Sequence, residues 1–223
     1  MGLRNSDSDA RDSADILLTR SMAIAVGLFA LVAFGVVTGG GLVSLDMRVT
    51  EWLHAHATPA LTRIIRVITD AHSMAAISVY TAVLALILAW KRDWLWLWTA
   101  VFTVSGGLLI NWLLKQTFQR ARPTLDDPLL TLETYSFPSA HTAGATLFYG
   151  VLAAYLISRC DNGAAKTGVA VAAVCFIALV GFSRVYLGVH FTSDVIGAAC
   201  ASAAWLAFCL AGMQAYEKRI RTR

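Results

Sequence analysis

Six apolar segments constrain this chain more than any other feature. They lie near residues 21–43, 73–90, 94–114, 142–158, 166–182 and 193–213. Each is close to the length that a bilayer's hydrocarbon core requires. Those at 73–90 and 142–158 are short, so they tilt little or extend into the interface. In lipid every backbone polar group must be paired within the segment, so the segments should be helices. The alternation of a membrane barrel strand is absent. The reading is an all-α membrane protein with six transmembrane helices. Composition agrees: 57% of the 223 residues are hydrophobic, 14% are charged, and the mean hydropathy is +0.63. Soluble domains are about 45–50% apolar and about 25% charged. A soluble globular domain, a disordered chain and a disulfide scaffold are excluded.

Residues 1–20 read as a frayed cytoplasmic tail, with Asp7, Asp9, Asp12 and Asp15 set against Arg4, Arg11 and Arg20. The tail is not cationic enough for a signal-peptide n-region, so no cleavage is expected. Met1 to Ser6 fits a loose N-myristoylation pattern, which adds little to a chain with several spans. Residues 21–213 form the membrane domain, and 214–223 a basic cytoplasmic tail. With six spans both termini share one side. That side carries 11 of the 18 cations and the other side 7, a bias that places the termini inside. Trp90, Trp94, Trp96 and Trp98 read as an interfacial belt. Small residues such as Gly168-Val169-Ala170 and Gly197-Ala198-Ala199 should let helices approach closely. Three of the four cysteines, Cys160, Cys175, Cys200 and Cys209, lie in apolar stretches and have no metal or disulfide spacing. The net charge of +4 comes with no basic run interleaved with aromatics, so no nucleic-acid partner is expected.

The outer connection 44–72 is long. Leu61, Ile64, Ile65 and Ile68 recur at helical spacing, as in an amphipathic helix lying in the interface. His54, His56 and His72 read as polar loop histidines, since no cysteine or paired carboxylate completes a metal site.

Polar clusters at membrane boundaries carry the chemical information. There are three, all on one expected face. Lys115 closes the third span and Arg122 follows seven residues later, about two helical turns, with Pro123 next. Two cations on one helix face suit an oxyanion, although, taken alone, a snorkelling pair at a helix end is the better explanation. Pro138-Ser139-Ala140-His141 opens the fourth span, which puts Ser139 among free N–H groups at a helix N-terminus. Ser183-Arg184, His190 and Asp194 join the last two spans. On a helix, His190 and Asp194 would face the same way, and a carboxylate there fixes the imidazole tautomer. Together these groups supply what phosphoryl transfer asks for: cations, a nucleophile and an acid.

The order Lys-x6-Arg-Pro, Pro-Ser-x-His and Ser-Arg-x5-His-x3-Asp resembles the type 2 phosphatidic acid phosphatase (PAP2) superfamily, in its integral-membrane lipid phosphatase branch. One position departs: Ala140 stands where the family usually has Gly. The resemblance implies that His190 is the nucleophile and forms a phosphohistidine. It implies that Asp194 orients it, and that His141 protonates the leaving oxygen and then activates water. Lys115, Arg122, Ser139 and Arg184 would hold the phosphate, with no metal and no cofactor. The expected substrate is a lipid phosphate monoester, phosphatidylglycerophosphate or phosphatidic acid, reached among the membrane lipids of a bacterial inner membrane on its outer face. Undecaprenyl diphosphate is the alternative. Asp126, Asp127 and Glu133 would repel a second phosphate if they line the entrance, whereas Arg120, or Arg63 and Arg66, would favour one. An anion transporter would place its ionisable groups at mid-membrane, and these sit at span ends.

Overall fold

The computed structural model describes the backbone of residues 3–130 and 132–221. Among these residues every regular element is a helix: α1 (Leu3–Thr38), α2 (Gly41–Ala55), α3 (Pro59–Asp70), α4 (Met74–Trp90), α5 (Trp94–Phe118), α6 (Ala140–Arg159), α7 (Gly163–Tyr186) and α8 (Thr192–Arg221). Five stretches are long and apolar enough to cross a membrane: Ile16–Thr38 and those of α5 to α8. A sixth is present if the bent pair α3 and α4, which meet at 47°, counts as one span. On its own α4 has 17 residues, about 25 Å of helix, short of a hydrocarbon core of about 30 Å.

Three expectations are corrected. Residues 3–15 continue α1 instead of fraying, and α8 runs on to Arg221. Gly2 of the acylation pattern lies outside the described residues. The first span ends at Thr38, because Gly39 and Gly40 take φ of +73° and +78°, which break the helix. The chain then forms α2 where a loop was expected. The amphipathic helix is present as α3, with Ile65 turned inward against Tyr186, Leu187 and Val189, and Ile64 and Val67 outward.

Core packing centres on α6, which touches α4, α5, α7 and α8. Leu147, Phe148, Val151 and Tyr155 pack there with Ile77, Leu88, Trp96 and Val104. Trp96 therefore leaves the expected belt for the Tyr155 ring at 5.4 Å, while Trp90, Trp94 and Trp98 stay exposed. Phe34, Leu86, Val174 and Phe208 point outward, on the surface that lipid chains cover. α1 lies along α8.

Close approach occurs at some small residues and not at others. A Cβ on Gly197 would stand 2.5 Å from Phe137, whose ring is wedged between Phe29 and Phe118. A Cβ on Gly168 would meet nothing within 4 Å, so the expected contact at 168–170 is not made there. Gly197→Val should thus cost about 1–3 kcal/mol by overpacking. Gly168→Ala should be neutral or stabilising by up to about 1 kcal/mol, because it only raises helix propensity. Thermal unfolding of both variants in detergent checks the contrast.

Candidate active site

Helix direction gathers the polar clusters at one end of the bundle. Lys115 lies in the last turn of α5, His141 in the first turn of α6, Arg184 in the last turn of α7 and Asp194 in the first turn of α8. Consecutive antiparallel spans put these four ends together. The connections 119–139 and 187–191 close over them.

His190 sits on the 187–191 turn and is 2% exposed. The turn needs a left-handed residue, which Gly188 supplies at φ +69°. His190 Nδ1 lies 3.3 Å from Asp194 Oδ2, and Arg122 Nη1 lies 3.3 Å from His190 Nε2. A guanidinium only donates, so Nε2 must be the acceptor. The proton is thereby assigned to Nδ1, facing the carboxylate, and the Nε2 lone pair faces the cations. Burial pushes the His190 pKa down to about 3, against the pull of the Asp194 hydrogen bond. The expected pairing of His190 with Asp194 is therefore present, although α8 begins only at Thr192, so the two do not share a helix.

Arg122 corrects another expectation. α5 ends at Phe118 because Gln119 takes a left-handed conformation, so Arg122 does not share a helix face with Lys115. It reaches the site from the connection. Its guanidinium donates to Thr134 O (2.6 Å), Thr134 Oγ1 (2.9 Å), Tyr135 O (3.2 Å) and Val189 O (2.5 Å), besides His190. Burial lowers its pKa, and the Asp194 charge opposes that. Lys115 Nζ meets the same connection, donating to Tyr135 O at 2.6 Å and Ser136 O at 3.2 Å. The two cations thus converge through loop carbonyls.

Arg184 is 1% exposed. Its Nη1 donates to Thr69 Oγ1 of α3, and its Nε is a buried donor without a partner. Ser139 is the N-cap of α6 and makes no side-chain cap bond there; Thr142 Oγ1 donates to its hydroxyl at 3.2 Å. His141, partly exposed, lies within electrostatic reach of Arg184, His190 and Arg122. All seven expected site residues are thus brought to one end.

Several partners were not expected. Asp46 of α2 is buried and accepts from Ser193 N at 3.0 Å, from Ser193 Oγ and from Arg120 Nη2 at 2.9 Å. Arg120 Nη1 donates to Asp194 Oδ1 at 2.6 Å, and the guanidinium stacks 4.2 Å over the Phe191 ring. Arg120 is therefore committed to two carboxylates and does not offer charge to a second phosphate. Ser136 Oγ donates to Asp194 Oδ2. His72 lies on the turn between α3 and α4, as expected, but is buried: Nδ1 donates to Ile68 O and Nε2 pairs with the Tyr149 hydroxyl, each at 2.7 Å. His54 and His56 lie at the end of α2. Asp126, Asp127 and Glu133 stay on the exposed surface.

The sequence model of the PAP2 superfamily matches residues 96–218, more than half of the chain and all seven of these positions. The chain belongs to the PAP2 superfamily. Phosphatidylglycerophosphatase B of Bacillus subtilis (strain 168) is 41% identical over 90 residues, which are 40% of this chain and 44% of that relative. The chain thus matches less than half the length of that curated relative. A crystal structure of a transmembrane PAP2-type phosphatidylglycerolphosphate phosphatase from Bacillus subtilis superposes with a TM-score of 0.78 at 25% identity, covering 90% of this chain and 97% of that one. Aquifex aeolicus LpxE shares the fold, with a TM-score of 0.60 at 23% identity over 74% of this chain and 94% of its own. An all-helical transmembrane PAP2 fold with five or six candidate spans is thereby shown.

His190 generates a stability prediction. Its folded pKa lies below that of an unfolded histidine, about 6.5. As pH falls the unfolded chain therefore takes up the proton first, and stability declines from about pH 6.5 towards pH 3. His190→Gln should lose this component. Tm measured between pH 7 and pH 4 is expected to fall less steeply in the variant than in the wild type.

Proposed function

We propose that this PAP2 protein is an integral-membrane lipid phosphatase that hydrolyses phosphate monoesters through a phosphohistidine. The observation that carries the reading is His190 Nε2: an unprotonated nitrogen that accepts only from Arg122 Nη1 at 3.3 Å, with the unpartnered Arg184 Nε and Lys115 at the same end of the bundle. Phosphatidylglycerophosphate is the favoured substrate, supported by what the Bacillus relatives act on by name; phosphatidic acid has the same reacting group.

The steps take the roles that the family resemblance implies, and the gathering of these residues at one end of the bundle supports them. Lys115, Arg122, Arg184 and the Ser139 hydroxyl at the α6 N-terminus neutralise the phosphoryl oxygens. His190 Nε2 attacks phosphorus in line, an N–P bond forms, and the P–O bond to the lipid breaks. His141 gives its proton to the leaving lipid oxygen. Water then attacks phosphorus, His141 takes its proton, the N–P bond breaks, and phosphate leaves with His190 neutral again. Asp194 holds the Nδ1 proton and stabilises the ring while it carries phosphorus. The cations supply the charge neutralisation that a metal gives in other phosphoryl transfers, so turnover is expected to survive EDTA.

The excess of cations on the side of the termini supports a cytoplasmic placement for them, with the active site facing the exterior of a bacterial inner membrane. Phosphate release by purified protein from a panel of lipid phosphates tests the reading. His190→Ala should abolish release. His141→Ala should cost far less with an activated leaving group than with a lipid alkoxide, because only the alkoxide needs the acid. Release by the His190→Ala variant at the wild-type rate would reject the nucleophile.

A second reading, undecaprenyl diphosphate as substrate, rests on Arg63 and Arg66, which line a recess of about 450 Å3 with Thr58, Thr62 and Leu129. Arg120 no longer supports it, since Asp46 and Asp194 hold that guanidinium. The monoester is therefore expected to have the larger kcat/KM in one detergent. A diphosphate advantage above about tenfold, about 1.4 kcal/mol in the transition state, would reverse the preference.

A further inference from the structure

Arg120 stands between two buried carboxylates. Asp46 Oδ2 lies 2.9 Å from Nη2, and Asp194 Oδ1 lies 2.6 Å from Nη1. Ser193 ties the row together: its hydroxyl donates to Asp46 and accepts from Arg120 Nη1 at 2.7 Å. Asp46 receives three donors, and Asp194 receives four, from Arg120, Ser136, the Phe191 N–H and His190. Carboxylates that only accept are ionised. The row thus holds two negative charges and one positive charge, and its end touches His190.

An Asp194–Arg120 pair alone would be neutral and would leave His190 facing only cations. The second carboxylate, brought by α2 from 147 residues away, restores one negative charge. Asp46 also lies outside the stretch that the superfamily shares. We propose that Asp46 and Arg120 are positioning residues that set the charge felt by His190 at minus one, enough to support the ring when it carries phosphorus and too little to protonate it beforehand. The functional part of this inference rests on His190 being the nucleophile proposed above; the charge balance itself does not. The remaining charged groups around His190 are Lys115 on α5, Arg122 in the connection, His141 on α6 and Arg184 on α7, with Asp70 of α3 beside Arg184. None of them changes in the variants below.

The test is the His190 midpoint, followed by NMR on 15N-histidine-labelled full-length protein in detergent. Arg120→Gln takes the row to minus two and should raise the midpoint by about one pH unit. Arg120→Lys keeps minus one and should leave it in place. Asp46→Asn with Arg120→Gln removes both charges, returns the row to minus one, and should titrate like the wild type. A purely structural role predicts the reverse order, with the double variant the most disturbed. An Arg120→Gln midpoint equal to the wild type overturns the proposal, as does a double variant displaced as far as the single one. If Arg120→Gln does not fold, the double variant decides: folding and titrating like the wild type supports the charge balance, and failing either overturns it. Phosphate release by the wild type is measured beside these titrations. Its absence would remove the phosphatase reading while leaving the charge balance to stand or fall on the midpoints.

Discussion

Asp194 has no exposed surface, and a buried carboxylate survives only where donors replace its water. The site is organised around meeting that requirement. The Phe191 N–H at 2.9 Å fixes the turn before α8, and Ser136 Oγ fixes the connection after α5. Arg120 ties in α2 through Asp46, and His190 takes its tautomer from the same carboxylate. The Asp194 carbonyl accepts from Ser139 N at 3.1 Å, which anchors the start of α6. Four separate segments are thus held against one residue. Removing Arg120 breaks a buried ion pair, at a cost of order 3–5 kcal/mol.

Within the connection 119–139, described residues near the two ends are tied to each other and to the site. Arg120 O accepts from Ser136 N at 2.8 Å and closes it at the neck. Inside, Lys115 and Arg122 spend donors on the carbonyls of Thr134, Tyr135 and Ser136. The cations thereby hold the loop, and the loop holds the cations. Charges fixed in this way need no reorganisation when negative charge develops nearby, which is the electrostatic part of the proposed reaction.

Much of this was legible in the sequence. The bundle of membrane-spanning helices followed from hydropathy, because the bilayer sets a length that composition must satisfy; the segment at 73–90 meets that length only together with α3. The pairing of His190 with Asp194, and the gathering of Lys115, Arg122, Ser139, His141 and Arg184, followed from motif spacing. The rest depended on contacts that spacing does not encode. Asp46 looked like one acid in an outer loop, and its partner lies 147 residues away. Arg120 looked like spare charge until two carboxylates claimed it. Arg122 seemed to share a face with Lys115 because seven residues suit two turns, but Gln119 ends the helix first. His72 gave no sign of burial, since its partner Tyr149 sits on a different span.

The proposed route takes phosphorus through His190 Nε2. It is tested by rapid quenching into alkali during turnover of a 32P-labelled lipid phosphate, because phosphohistidine survives alkali and phosphate esters of serine do not. The expected result is a transient label, stable in alkali and lost in acid, on the peptide that carries His190. Steady turnover with no alkali-stable label, or label on the peptide that carries His141, would rule this route out.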